Sequence, residues 1–165
     1  MKPNSPSHNE RTFVLIDIEN LTGTPLPSEH ECSRVRSIVE NHIDASRTPV
    51  VAACSHLAAR TAPFAWPTAR WKWKSGLNGA DEALLEELDV DHIASRFTKV
   101  LIGSGDGIFA DIAARLASRG VHVEVISRTC SLSRRLQLAA KTVLVFDDFT
   151  ATAHPSLAFE GADVA

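Results

Sequence analysis

The chain lacks most of the features that mark specialised protein classes. Its three cysteines, Cys32, Cys54 and Cys130, are odd in number and form no C-x-x-C pair. Neither a disulfide framework nor a zinc knuckle is therefore expected; reduced thiols in a cytoplasmic protein are. No apolar stretch approaches the ~20 residues of a membrane-spanning helix, so no membrane partner is expected. Residues 1–11 are polar, with Pro3 and Pro6, and have no apolar segment of the kind a signal peptide needs. There is no internal repeat, and no G-x-G-x-x-G follows the first strand, which removes the dinucleotide-binding fingerprint. Strong charge of either sign is also missing: the formal net charge is −3 at pH 7. Without a global basic field, any nucleic-acid contact has to come from a local patch.

What remains is an ordinary globular composition. The 165 residues are 44% apolar and 22% charged, enough for one domain with a proper core. Short apolar, often β-branched runs alternate with segments of helical period. Strands are expected at 12–17, 49–54, 68–74, 99–103, 121–126 and 142–146, and helices at 29–45, 55–62, 80–95, 107–119 and 132–140. Residues 21–28, with Gly23, Pro25 and Pro27, read as a loop. Gly120 reads as the stop of the helix before it. This alternation predicts an α/β fold with a doubly wound, mostly parallel sheet. Residues 1–11 are expected to be a flexible lead-in, 12–147 the domain, and 148–165 a C-terminal tail.

Two apolar runs end on short acidic turns. Phe13-Val14-Leu15-Ile16 leads into Asp17-Ile18-Glu19-Asn20, and Val100-Leu101-Ile102-Gly103 leads into Ser104-Gly105-Asp106-Gly107. In an open α/β sheet the strand C-termini form the functional edge, above all where the winding reverses. Asp81, near the start of a helix, is a third acid that can reach the same edge. Carboxylates gathered there suit Mg2+ or Mn2+, hard cations that bind through oxygen and keep several waters. Such an ion eases deprotonation of water and neutralises charge on a phosphodiester. Asn20 is placed to orient Asp17 or a substrate phosphate, and Ser104 to do similar work, supporting the site and binding substrate. Taken singly, each Asp has an ordinary alternative as a turn former or helix cap; the joint pattern points to a site.

These residues resemble the NYN domain family of the PIN-like nucleases. The resemblance rests on Asp17-Ile18-Glu19-Asn20, on Gly79-Ala80-Asp81 opening a helix, and on Ser104-Gly105-Asp106-Gly107-Ile108-Phe109. Gly120-Val121-His122-Val123-Glu124-Val125-Ile126-Ser127 and Leu132-Ser133-Arg134-Arg135-Leu136 extend it, so that it covers roughly residues 12 to 147. It implies a Rossmann-like three-layer α/β/α sandwich with strand order 3-2-1-4-5, and a metal-dependent ribonuclease, a hydrolase acting on RNA. By position, Asp17, Asp81 and Asp106 match the metal-binding and catalytic acids and Asn20 the polar partner. One position departs: many members carry a second acid two residues after the last Asp, where this chain has Ile108. Asp111 is a candidate replacement further along that helix. The alternative is a catalytically weak PIN-like module that binds RNA or a protein. A homodimer suits this fold group, although no residue here argues for one.

A local basic patch is present. Arg70, Lys72 and Lys74 fall on one face of the third strand, with Trp71 and Trp73 on the other. The basic face is expected to guide an RNA backbone; Trp66, Trp71 and Trp73 are candidates to stack bases, with core filling by Trp71 and Trp73 the ordinary alternative. Arg128, Arg134 and Arg135 form a second cluster, and Glu86 and Glu87 are expected to face solvent. Gly105 to Asp111 also resembles a motif of haloacid-dehalogenase-like phosphatases, a weaker alternative because the second acid after Asp17 would be Glu19 and no lid domain is available.

Overall fold

A computed structural model of the chain describes residues 10–148. Most of the expected lead-in and nearly all of the expected tail lie outside the described residues. The six expected strands form one sheet: β1 (Thr12–Asp17), β2 (Val50–Cys54), β3 (Arg70–Trp73), β4 (Lys99–Gly103), β5 (His122–Arg128) and β6 (Thr142–Phe146). Their spatial order is β3-β2-β1-β4-β5-β6, and every pairing is parallel. The expected order 3-2-1-4-5 is thus extended by β6 beside β5, and the sheet is wholly rather than mostly parallel.

Both faces of the sheet are covered, which is why the central strands read as unbroken apolar runs. Side chains alternate between the two faces along each strand. Phe13 and Leu15 enter one core with Val51, Val100, Ile102, Phe109, Leu116 and Val125. Val14 and Ile16 enter the other with Val35, Val39, Ala52, Trp66, Leu101 and Ile126. This is the α/β/α sandwich that the alternation predicts.

The helices are α1 (Ile18–Thr22), α2 (Glu29–Glu40), α3 (Ala62–Ala65), α4 (Gly79–Leu85), α5 (Val90–Arg96), α6 (Ala110–Ser118) and α7 (Arg134–Ala139). Several bounds differ from expectation for local reasons. Part of the expected loop at 21–28 is instead helix α1, because Asp17 caps it and Gly23, at φ 78°, ends it in the left-handed region. The single helix expected over 80–95 is two. The Asp89 side chain accepts the His92 N–H at 3.0 Å and starts α5 afresh. Residues 55–62 give only a 3-10 turn (Ala58–Arg60) before α3, and α6 is preceded by a 3-10 turn over Gly107–Phe109.

The tryptophans also differ. Trp66 is the fully buried one. Trp71 is half-buried and donates its indole N–H to the Trp66 carbonyl at 2.9 Å. Trp73 is 55% exposed, because β3 is an edge strand and its C-terminal end runs beyond the core.

The topology places the strand-end acids. From β1 the chain winds outward through β2 to β3, then crosses back to lay β4 against the other side of β1. The winding therefore reverses between β1 and β4, and a crevice opens beyond their C-terminal ends. Ile16 pairs with Gly103 at that edge, so Asp17 and Ser104 leave the sheet side by side.

Candidate active site at the strand ends

Asp17 ends β1 and caps α1, accepting the Asn20 N–H at 3.2 Å. Asp81 lies in the first turn of α4, which packs over β1, β2 and β3. The two side chains interact directly across this gap. Both residues are buried, at 5% and 6% exposure, and Asp81 Oδ1 has no hydrogen-bond partner. Two carboxylates side by side away from water resist ionising together. Burial, reinforced by the contact with Asp81, pushes the Asp17 carboxyl well above the usual carboxylate range. Burial also raises Asp81, and the negative charges of Asp106, Glu19 and Glu82 add to the effect. The neighbouring charges that bear on this pair, those of Glu19, Glu82 and Asp106, are all negative.

Asp106 stands across the crevice and acts on Asp81 through its charge. It is half-buried, and one oxygen caps the following turn by accepting the Ile108 N–H at 2.9 Å. The fold therefore joins Asp17 and Asp81 and keeps Asp106 as a more distant third member. Among the described residues, no group of three or more His, Cys, Asp or Glu is already arranged to hold a metal ion.

The expected companions of the acids hold the loops. Asn20 accepts the Gly105 N–H on its side-chain oxygen at 2.9 Å, so it tethers the Ser104–Asp106 loop. Its orienting contact with Asp17 comes from the backbone N–H. Ser104 is wholly buried, with its hydroxyl accepting the Asp106 N–H at 3.2 Å. That burial corrects the expectation that Ser104 touches substrate. Asp111, the candidate replacement acid, is exposed and pairs with Arg135 at 3.1 Å. Ile108, which stands two residues after Asp106, is 37% exposed.

The basic face of β3 lies next to this site, but its charges are spent within the protein. Lys72 pairs with Glu87 at 2.7 Å, and Arg70 reaches the same carboxylate. Lys74 bridges Glu82 at 2.9 Å and Glu86 at 3.0 Å. Glu87 is therefore not the free solvent-facing acid expected of it, whereas Glu86 is exposed as expected. These pairs tie α4, and so Asp81, to the edge strand.

Glu19 was not among the expected site residues. Its Oε1 accepts the Ser55 N–H at 2.6 Å, stitching α1 to the end of β2, and its charge bears on both buried aspartates. Its place two residues after Asp17 was the one available signal; the partner, 36 positions away, left none.

No protein-family model matches the chain, and no curated protein matches it. Among solved structures, the chain is similar to the crystal structure of a protein of unknown function from Vibrio parahaemolyticus. The two share 18% identity at a TM-score of 0.56, over 90% of this chain and 98% of that one. That likeness shows the fold alone. Among the described residues, no helix is long and apolar enough to cross a membrane.

Proposed function

We propose that the chain is a metal-dependent ribonuclease of the NYN/PIN-like type, working at the crevice beyond β1 and β4. The observation that carries this reading is the buried, partnerless Asp81 oxygen beside Asp17. A like-charge pair out of water is costly and persists where function needs it. A divalent cation suits this donor set: hard oxygens, two negative charges and an orphaned acceptor. Asp17 and Asp81 would hold Mg2+ or Mn2+, with Asp106 contributing from the other side of the crevice. When bound, the ion would supply charge neutralisation at the phosphate and an easier deprotonation of water.

The residues themselves do the rest. Asp17 and Asp81 present negative charge without competing hydrogen bonds at one carboxylate oxygen. Asn20 and Ser104 fix the loop that carries Asp106. The glutamates of α4 and the turn after it hold the basic side chains of β3 beside the site. RNA would approach past Arg70, Lys72 and Lys74 only by competing with Glu82, Glu86 and Glu87. This favours weak, releasable contact over tight binding.

The test is cleavage of single-stranded and structured RNA with Mg2+, with Mn2+, or with chelator, by the wild type, Asp81→Asn and Asp106→Asn. Metal-dependent cleavage that disappears in both variants supports the proposal. Cleavage that persists unchanged in the variants, or none across varied RNAs, rejects it. The second reading is a catalytically weak PIN-like module that binds RNA or a protein. Ile108 favours it, since it leaves the crevice one carboxylate short of the family pattern. RNA retention on the protein without metal-dependent cleavage would select that reading.

A further inference from the structure

The Asn20 turn, which contacts the loop carrying Asp106, is bonded by an arginine from a different part of the chain. Arg128 ends β5, with its side chain only 17% exposed. Its Nε donates to the main-chain carbonyl of Asn20 at 2.8 Å, and its Nη1 donates to Asp148 at 2.7 Å. Gly23 lies against the guanidinium: a Cβ there would fall 2.8 Å from Nη1 and 2.9 Å from Cζ. The glycine thus serves two needs, the left-handed end of α1 and this close approach.

Asn20, held from behind in this way, reaches forward. Its side-chain oxygen takes the Gly105 N–H at 2.9 Å and, more loosely, the Ser131 hydroxyl at 3.5 Å. Gly105 is itself enclosed. A side chain there would overlap the Ser131 carbonyl and the Ser127 hydroxyl, and its own carbonyl accepts the Ser133 N–H at 2.8 Å. The residue after it is Asp106.

We infer that Arg128 is a positioning residue for the acid edge. By fixing the Asn20 turn, it fixes the Gly105 peptide and hence where Asp106 stands relative to Asp17 and Asp81. The consequence for metal and cleavage rests on the ribonuclease reading; the latch does not. A planar fork satisfies the Asn20 carbonyl and Asp148 from one group, whereas a lysine ammonium on a flexible stem does not reproduce that fork. An arginine rather than any cation is therefore needed.

The experiment compares wild type, Arg128→Lys and Arg128→Ala, with Arg135→Ala as a surface control. Amide exchange of Gly105 is followed by NMR in metal-free protein, alongside exchange of the Leu15 and Leu101 amides in the central strands. Mn2+ affinity and kcat against KM on RNA are then measured. In both Arg128 variants Gly105 should exchange about tenfold faster, as for loss of a charge-assisted hydrogen bond, while Leu15 and Leu101 stay protected. Mn2+ affinity or kcat should fall about 10- to 100-fold, the range for residues that orient metal ligands, with KM little changed. Millimolar guanidinium should restore Arg128→Ala in part.

Unchanged Gly105 exchange in both variants overturns the inference. So does an equal loss of protection at Leu15 and Leu101, which would mark a general stability role. If the wild type neither binds Mn2+ nor cleaves RNA, the ribonuclease reading fails, and Gly105 exchange still decides the latch.

Discussion

Two charged regions lie within one helix of each other and are built on opposite principles. On the edge strand and just past its end, Arg70, Lys72 and Lys74 meet Glu82, Glu86 and Glu87, and these side chains are largely at the surface and paired. At the end of β1, Asp17 and Asp81 are buried together, with like charge and one oxygen unpartnered. The first arrangement needs nothing more to be stable, and exposed pairs of this kind contribute little. The second is costly as it stands and is relieved only by a proton or a cation. Helix α4 carries both Asp81 and Glu82, so the satisfied region anchors the element that the unsatisfied region strains.

The largest effect expected from this contrast is on cleavage. Asp17→Asn or Asp81→Asn should lower metal-dependent RNA cleavage by at least about 100-fold, beyond the usual cost of removing a residue that merely orients a ligand. Glu87→Gln should leave the rate within about twofold, as an exposed pair would. Equal losses in the two regions would erase the distinction between them.

Next in size is the stability of metal-free protein. Asp81→Asn removes one of two buried like charges and supplies an amide that can donate to Asp17. It should raise the melting temperature at pH 7 by about 3 °C for each ~1 kcal/mol of relief in a domain of this size. Asp17 and Asp81 are raised from an ordinary value near 3.8. The folded state therefore holds protons more tightly than the unfolded chain. Stability falls as pH rises from about that value through the raised folded values. The advantage of Asp81→Asn over wild type should accordingly shrink on acidification, as read by melting curves between pH 4 and 8. An advantage that grows towards acid would contradict the assigned direction.

The paired region should show the opposite slope and a smaller effect. The hydrogen bond from Lys72, then that from Arg70, holds Glu87 below its ordinary value near 4.5. Its contribution is present above that value and is lost as pH falls through the lowered one. Glu87→Gln should cost at most about 1 kcal/mol at neutral pH. Smallest of all, that cost should diminish further in 1 M salt, where exposed charges are screened. The Asp81→Asn effect should change less, because its charges are buried.

Sequence legibility followed the range of the interactions. The central strands were readable because both faces of the sheet are covered, so Val14–Ile16 and Val100–Ile102 stay apolar throughout, whereas the edge strand β3 was readable by the alternation of Arg70 and Lys72 with Trp71 and Trp73. Gly120 was readable as a helix stop because its left-handed φ is a local demand. Asp17 and Asp106 were readable as strand-end acids because each follows an apolar run. Helix α1 was not, since Asp17 is at once a strand-end acid and a cap, and Pro25 and Pro27 dominate the following stretch. The break between α4 and α5 was hidden because Leu84, Leu85 and Leu88 keep a helical rhythm across it. The links from Glu19 to Ser55, from Asn20 to Gly105 and from Arg128 to Asn20 span 36, 85 and 108 positions and have no local signature. For the same reason the basic face of β3 looked free: its neutralising partners arrive from another element.

The most direct test of the central claim, that Asp17 and Asp81 form a cation seat, is the effect of Mn2+ on thermal melting at pH 7 in wild type and Asp81→Asn. Saturation at 100 times the dissociation constant should stabilise the wild type by about 2.7 kcal/mol, and Asp81→Asn should show little or no shift at the same concentration. An equal shift in both proteins, or none in the wild type, would contradict the claim.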